Sequence, residues 1–202
     1  FLLRELIRAG IPETLDLVCL DLSPAQLDVI REPRIRPVLG SITEFERQSL
    51  ADPSLTFIWM SRSTLHYAGL YGARTTLRHV RQQARPGERF VHQTLCYETV
   101  DEALCCSVVF EMIGSTKWIP PANSLVEMMA ACGWKTLSSA PAPDLLISSE
   151  EIIERYNVSA DRILYIREHL LRDFGEMPRV YEPTPKGFRI FGLYKSFTCE
   201  AV

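Results

Sequence analysis

The sequence predicts an α/β fold: a doubly wound, mostly parallel sheet with helices on both faces. Strand-type and helix-type patterns alternate along the whole chain. The connections between them are short, which favours right-handed crossovers within one sheet. A length of 202 residues with 47% hydrophobic content is enough to bury one sizeable core, so residues 1–202 are read as a single domain.

The elements follow in order. "FLLRELIRAG" puts Leu2, Leu3, Leu6 and Ile7 on one helix face and stops at Gly10. "TLDLVCLDL" is a buried strand, and "SPAQLDVIRE" a helix with Ser23 as N-cap and Pro24 in its first turn. "IRPVLGSI" is a short strand that breaks at Gly40, and "TEFERQSLAD" is a short helix after Thr43. "LTFIWMS" is a third strand, rich in β-favouring residues.

A helix from about Tyr71 to Ala84 ends before the Pro86–Gly87 turn, and "RFVHQTLC" is the fourth strand. "NSLVEMMAACGW" is a helix capped by Asn123 or Ser124 and stopped at Gly133, with "KTLSSA" as the strand beyond it. "SSAPAPD" at 138–144 reads as a loop. A long helical stretch runs from about Ser149 to Phe174, broken near Asn157–Ser159, and residues 144–186 form a helical insertion or lid. "GFRIFGLYKSF" closes the chain as one strand.

Composition narrows the function. A net charge of −3 and a pI near 5.9 give no basic surface for a polyanion, so nucleic acid is not an expected partner. The run "REPRIRP" is a solvated loop. The six cysteines include no Cys-x-x-Cys pair, and no metal site is expected. They read as reduced, partly buried thiols of a cytoplasmic protein. No stretch reaches the roughly 18 apolar residues that span a bilayer, and the charged N-terminal segment is not a signal peptide.

Three strand ends carry polar groups. In open parallel sheets, ligands bind outside the carboxyl ends of the strands. Asp21 ends the apolar run Leu17–Leu20 just before a helix, where its carboxylate could accept both hydroxyls of a ribose. The alternative is that Asp21 caps that helix, a role Ser23 already fills. Gly40-Ser41-Ile42 end the second strand, and Ser61–Thr64 followed by Leu65, His66 and Tyr67 end the third.

In order and spacing, "LDLSPAQL", "LGSI", "STLHY" and "RPGERFV" resemble the class I S-adenosylmethionine-dependent methyltransferases, as does the later "TKWIPPANSLVEMMAACGW". The closing "FRIFGLYKS" resembles that family's antiparallel last strand. The resemblance covers about 16–140 and 187–197. It implies S-adenosylmethionine as cofactor, with Asp21 on the ribose hydroxyls and Leu22 lining the adenine. It places Ser41 and Ile42 beside the base, and Ser61 and Arg62 near the methionine part. Ser41 stands where the family usually has an aspartate.

The family also begins with a strand and a glycine-rich turn, whereas the ten glycines here include no Gly-x-Gly. The domain is therefore expected to be N-terminally incomplete, completed by another chain, or a degenerate member without the cofactor. A homodimer or a second chain completing the sheet is compatible with this.

The implied reaction is methyl transfer to oxygen or nitrogen of a small organic acceptor. His66 is the first candidate for the base and His92 the second, because histidine titrates near neutrality. Packing against Tyr67 is the alternative for His66. Tyr67, Tyr97 and Trp118 are candidate substrate-binding residues. The rival reading is a methyltransferase-fold protein without methyl transfer, either a partner or regulatory subunit or an enzyme of another reaction.

Overall fold

Helix α1 (Leu2–Arg8) opens the computed structural model, which describes residues 2–202. None of its residues is fully buried. Gly10, at φ +83°, turns the chain towards β1 (Leu17–Asp21). The short helix α2 (Pro24–Asp28) then leads to β2 (Ile35–Leu39), which pairs with β1 in parallel, Asp21 opposite Leu39. Ser23 caps α2, its hydroxyl accepting from the Gln26 amide at 3.4 Å.

Helix α3 (Arg47–Leu50) precedes β3 (Ile58–Arg62), and α4 (Thr64–Tyr67) and α5 (Gly69–Gln83) lead to β4 (Arg89–Leu95). β3 and β4 are parallel. Then come α6 (Val100–Met112), α7 (Ala122–Ala131), β5 (Trp134–Pro141), β6 (Leu145–Ser148), α8 (Ser149–Tyr156) and α9 (Ala160–Asp173). Three strands finish the chain: β7 (Tyr181–Thr184), β8 (Gly187–Gly192) and β9 (Tyr194–Ala201).

The strands form three sheets, ordered β1-β2, β3-β4-β9-β5 and β6-β8-β7. This corrects the expectation of one mostly parallel sheet. Parallel pairing is confined to β1–β2 and β3–β4, while β9 runs antiparallel to both β4 and β5. β1 and β3 each pair on one side only among the described residues, so no continuous ladder joins the first two sheets.

Two further expectations change. The closing run is two strands, because the chain leaves one sheet for another at Leu193. That residue's carbonyl accepts from the Cys96 amide at 3.0 Å, while the Tyr194 carbonyl accepts from Ala142 at 2.9 Å. Gly192 permits the close approach there, since a β-carbon would lie 3.2 Å from the Leu145 carbonyl oxygen. Residues 144–186, expected as a helical insertion, hold β6 and β7 as well as α8 and α9, and both strands pair with β8 just beyond. The break between those helices is where it was expected, at Asn157, which takes the left-handed conformation.

Two apolar clusters hold the molecule. One surrounds β3, β4, β5 and β9 with Trp59, Leu77, Phe90, Leu125, Trp134 and Phe197, and half-buried Val18, Leu20 and Val38 of the first sheet pack on it. The other fills the space between α6, α8, α9 and the three-stranded sheet, with Tyr97, Phe110, Ile152, Ile163, Ile166 and Phe188.

A buried ion pair fixes the amino ends of β3 and β4. Glu88, 3% exposed, accepts from Arg47 at 2.6 and 2.8 Å, and also from the Phe57 and Arg85 amides and the Trp59 indole. Arg47 donates to the carbonyls of Pro53, Leu55 and Gln83 and stacks 3.9 Å over the Phe57 ring. Burial alone would raise the Glu88 pKa, but Arg47 and the amide and indole donors outweigh it and hold the carboxyl at about 2.

Removing the carboxylate strands the guanidinium without counter-charge. Glu88→Ala is therefore expected to lower the unfolding free energy by about 3–5 kcal/mol in urea denaturation. A loss below about 1 kcal/mol would show that the pair does not hold this end of the sheet.

Candidate active site at the carboxyl ends of the strands

At the end of β1, Asp21 Oδ1 accepts from the Ser23 amide at 2.8 Å. That bond sets the carboxylate's orientation and leaves its second oxygen for a ligand. Leu22 is 70% exposed beside it, and Leu39, opposite Asp21 in the register, is 62% exposed. An apolar pair flanking a fixed carboxylate fits a nucleoside: hydroxyls on the acid, a flat base on the leucines. Leu39 was not singled out from the sequence. Only its register with Asp21 marks it.

At the end of β2, the Gly40 amide donates to the Asp21 carbonyl at 3.0 Å, tying the two strand ends together. Ser41 is turned inward on its own loop: its hydroxyl lies 2.8 Å from Thr43 Oγ1 and accepts from the Thr43 amide at 3.1 Å. Ile42 is half-buried and packs on the central cluster.

At the end of β3 and just past it, Ser61 and Ser63 depart from ordinary packing. The Ser61 hydroxyl is buried and has no hydrogen-bond partner among the described residues. Arg62 is exposed. Ser63 sits at φ +63°, a left-handed conformation that serine rarely adopts, held by its amide donating to the Gln93 carbonyl at 2.8 Å. The orphaned hydroxyl and the strained turn thus lie together at the strand's carboxyl end.

The candidate bases are placed differently from expectation. His66 lies in α4, just after the turn that follows β3, but is only 1% exposed. Its Nδ1 accepts from the Leu95 amide at 3.4 Å, and its carbonyl accepts from the Trp118 amide at 2.9 Å. Burial, then the nearby Lys117 charge, push its pKa down to about 4. With Nδ1 accepting, the neutral ring carries its proton on Nε2. His66 is thus a neutral tie between α4, β4 and the Trp118 loop, not a base poised near neutrality.

His92 lies inside β4, 1% exposed, between Phe90 and Phe197, with its nitrogens 2.9 Å from Thr94 Oγ1 and Met129 Sδ. Burial pushes it down to about 3. It is a core histidine, and the expectation of a second base there is not met.

Tyr97 is likewise fully buried, its hydroxyl donating to the Phe191 carbonyl at 2.5 Å, so it is no substrate wall. Trp118 is half-buried against the central cluster. Tyr67 alone of the three is open, at 62% exposure. The thiols of Cys96, Cys105 and Cys106 are pushed up to about 12, chiefly by burial, and are no nucleophiles.

Sequence reasoning also missed Lys117. Its ammonium donates to the Tyr156 hydroxyl at 2.8 Å and lies 4.1 Å from the Phe110 ring centre and 4.6 Å from that of Tyr67. Its only signal in the sequence is its position between a buried helix and "WIPP".

No family model matches the chain, and no curated protein matches it in sequence. Solved structures do. A Bacillus halodurans protein assigned as a methyltransferase superposes with a TM-score of 0.68 at 12% identity, over 91% of this chain and 81% of that one. The S-adenosylmethionine-dependent methyltransferase of Mesorhizobium loti gives 0.51 at 13% identity, over 99% and 85%. This chain has the class I methyltransferase fold. The cyclase SpnF matches too, with a TM-score of 0.53 at 10% identity over 97% of this chain and 69% of that one, so the fold also serves an enzyme named for another reaction. No helix among the described residues is long and apolar enough to cross a membrane.

The two buried histidines make the fold acid-sensitive. Unfolded, each titrates near 6.5; folded, they titrate at about 4 and about 3. Between those limits the unfolded chain binds more protons, so stability rises with pH and falls on acidification below about 6.5. Each histidine contributes a slope of up to about 1.4 kcal/mol per pH unit in that window. Thermal melts of His92→Phe should show roughly half the wild-type slope; an unchanged slope would mean that His92 is not held neutral.

Proposed function

We propose that this protein is an S-adenosylmethionine-dependent methyltransferase acting on a small organic acceptor, at oxygen or nitrogen. The observation that carries the reading is the carboxylate of Asp21, locked by the Ser23 amide at the end of β1 and flanked by exposed Leu22 and Leu39. When bound, the cofactor supplies an electrophilic methyl group on a sulfonium.

The chain's own residues bind and orient. Asp21 would take the ribose hydroxyls. Leu22, Leu39 and Ile42 would enclose the adenine, with Ser41 at its edge. Ser61 and Arg62 would hold the methionine part, the orphaned Ser61 hydroxyl finding there the partner it lacks. Tyr67 would form an acceptor wall, and His66 would position the turn that carries it. In-line methyl transfer asks mainly for such positioning, and for removal of a proton where the acceptor carries one.

The second reading, a methyltransferase fold without methyl transfer, is favoured by one observation. Ser41 bonds within its own loop rather than facing outward as an adenine acceptor.

Calorimetric titration with S-adenosylhomocysteine separates the two readings. Micromolar binding is expected, weakened at least tenfold in Asp21→Asn, which corresponds to about 1.4 kcal/mol or more. A folded wild-type chain that gives no heat would support the second reading.

Ser61→Ala provides an independent check. It is expected to leave the unliganded fold equally or more stable, because a buried unsatisfied hydroxyl is lost, while weakening S-adenosylhomocysteine binding. A loss of stability with unchanged affinity would remove Ser61 from the site.

A further inference from the structure

The group with no counterpart in that scheme is Lys117. It lies on the segment between α6 and α7, half-buried, in a box made by three different parts of the chain. Phe110 comes from α6, Tyr67 from the end of α4, and Tyr156 from the end of α8. The ammonium's one hydrogen-bond acceptor is the Tyr156 hydroxyl at 2.8 Å, and among the described residues no carboxylate pairs with it.

Lysine normally keeps its ammonium in water or against an acid, because a desolvated charge without counter-charge is costly. The rings repay part of that cost, with Phe110 at 4.1 Å, Tyr67 at 4.6 Å and Tyr156 at 5.4 Å from the nitrogen. They do not neutralise it, and they leave N–H donors without an oxygen acceptor.

One wall of the box, Tyr67, reaches solvent. Tyr67 is 62% exposed, and Leu70 and Tyr71, which follow it in the chain, are 44% and 86% exposed, so the ring beside the charge is open to a ligand.

We propose that Lys117 is the binding residue for an oxyanion on the acceptor, a carboxylate or an ionised hydroxyl attached to a flat apolar body that lies on Tyr67. The proposal rests on the methyltransferase reading and narrows it. The acceptor is an aromatic or similarly planar acid rather than an amine cation, because a second cation would be repelled from a box that already holds one.

The test uses three probes on the full chain with S-adenosylhomocysteine present: benzoate, benzamide and tetramethylammonium, followed by ligand-observed magnetic resonance. Benzoate should bind saturably, benzamide at least tenfold more weakly, and tetramethylammonium not at all. Lys117→Met should weaken benzoate at least tenfold, whereas Lys117→Arg should retain it, with the same affinity for S-adenosylhomocysteine in both variants. Wild-type chain that bound benzoate and benzamide equally, bound neither, or bound tetramethylammonium would overturn the proposal without any variant having to fold. Failure of the wild-type chain to bind S-adenosylhomocysteine would instead strike the underlying reading, so the two failures are told apart within one set of samples.

Discussion

The arrangement of β3 depends on the buried pairing of Glu88 with Arg47. Among the described residues β3 has a neighbour strand on one side only, so its position depends on what holds its ends. Glu88 anchors it from the amino end by taking the Phe57 amide and the Trp59 indole, while Arg47 gathers the carbonyls of Pro53, Leu55 and Gln83. Five donors on one carboxylate make the start of β3 a rigid pivot. The strained Ser63 at its far end is affordable because that pivot and the parallel ladder to β4 hold the strand between them.

The carboxyl ends of the strands divide the chemistry. Those of β1 and β2 are tied by the Gly40 amide and offer one oriented carboxylate among exposed leucines. That of β3 offers an unsatisfied hydroxyl, an exposed arginine and the turn carrying His66 and Tyr67. The second apolar cluster packs α9 against both α6 and α8, which brings Tyr156, at the end of α8, to Phe110 and Lys117. The appended helices and sheet are thus joined to the site by a side-chain contact, which nearness in sequence does not provide.

How much of this was legible in the sequence follows from the reach of each signal. Asp21, Ser23 and the break at Gly40 were readable because strand ends, caps and turns are local. The break at Asn157 was readable for the same reason. Helix α6 was not, because "VDEALCCSVVFEM" is apolar on every side and has no 3.6-residue stripe to detect. The single strand expected over 187–197 turned into β8 and β9 because the change of sheet at Leu193 is set by distant partners, Cys96 and Ala142. His66 and His92 looked like bases because histidine titrates near neutrality in water. Burial, which no residue type announces, removes both from that range.

If the chain transfers methyl groups as proposed, the burial of His66 bears on the kind of acceptor rather than on whether transfer is feasible. Methyl transfer forms a bond from the acceptor's lone pair as the carbon–sulfur bond breaks, and a proton has to leave only if the acceptor atom still carries one. A neutral, buried His66 with Nδ1 engaged is poorly suited to take that proton. An acceptor that arrives ionised does not need it to. On that reading the absence of an exposed histidine beside β3 and the uncompensated Lys117 ammonium are two aspects of one design. Under that proposal the positive charge would lower the acceptor's own pKa and orient its oxyanion, leaving the rest to positioning.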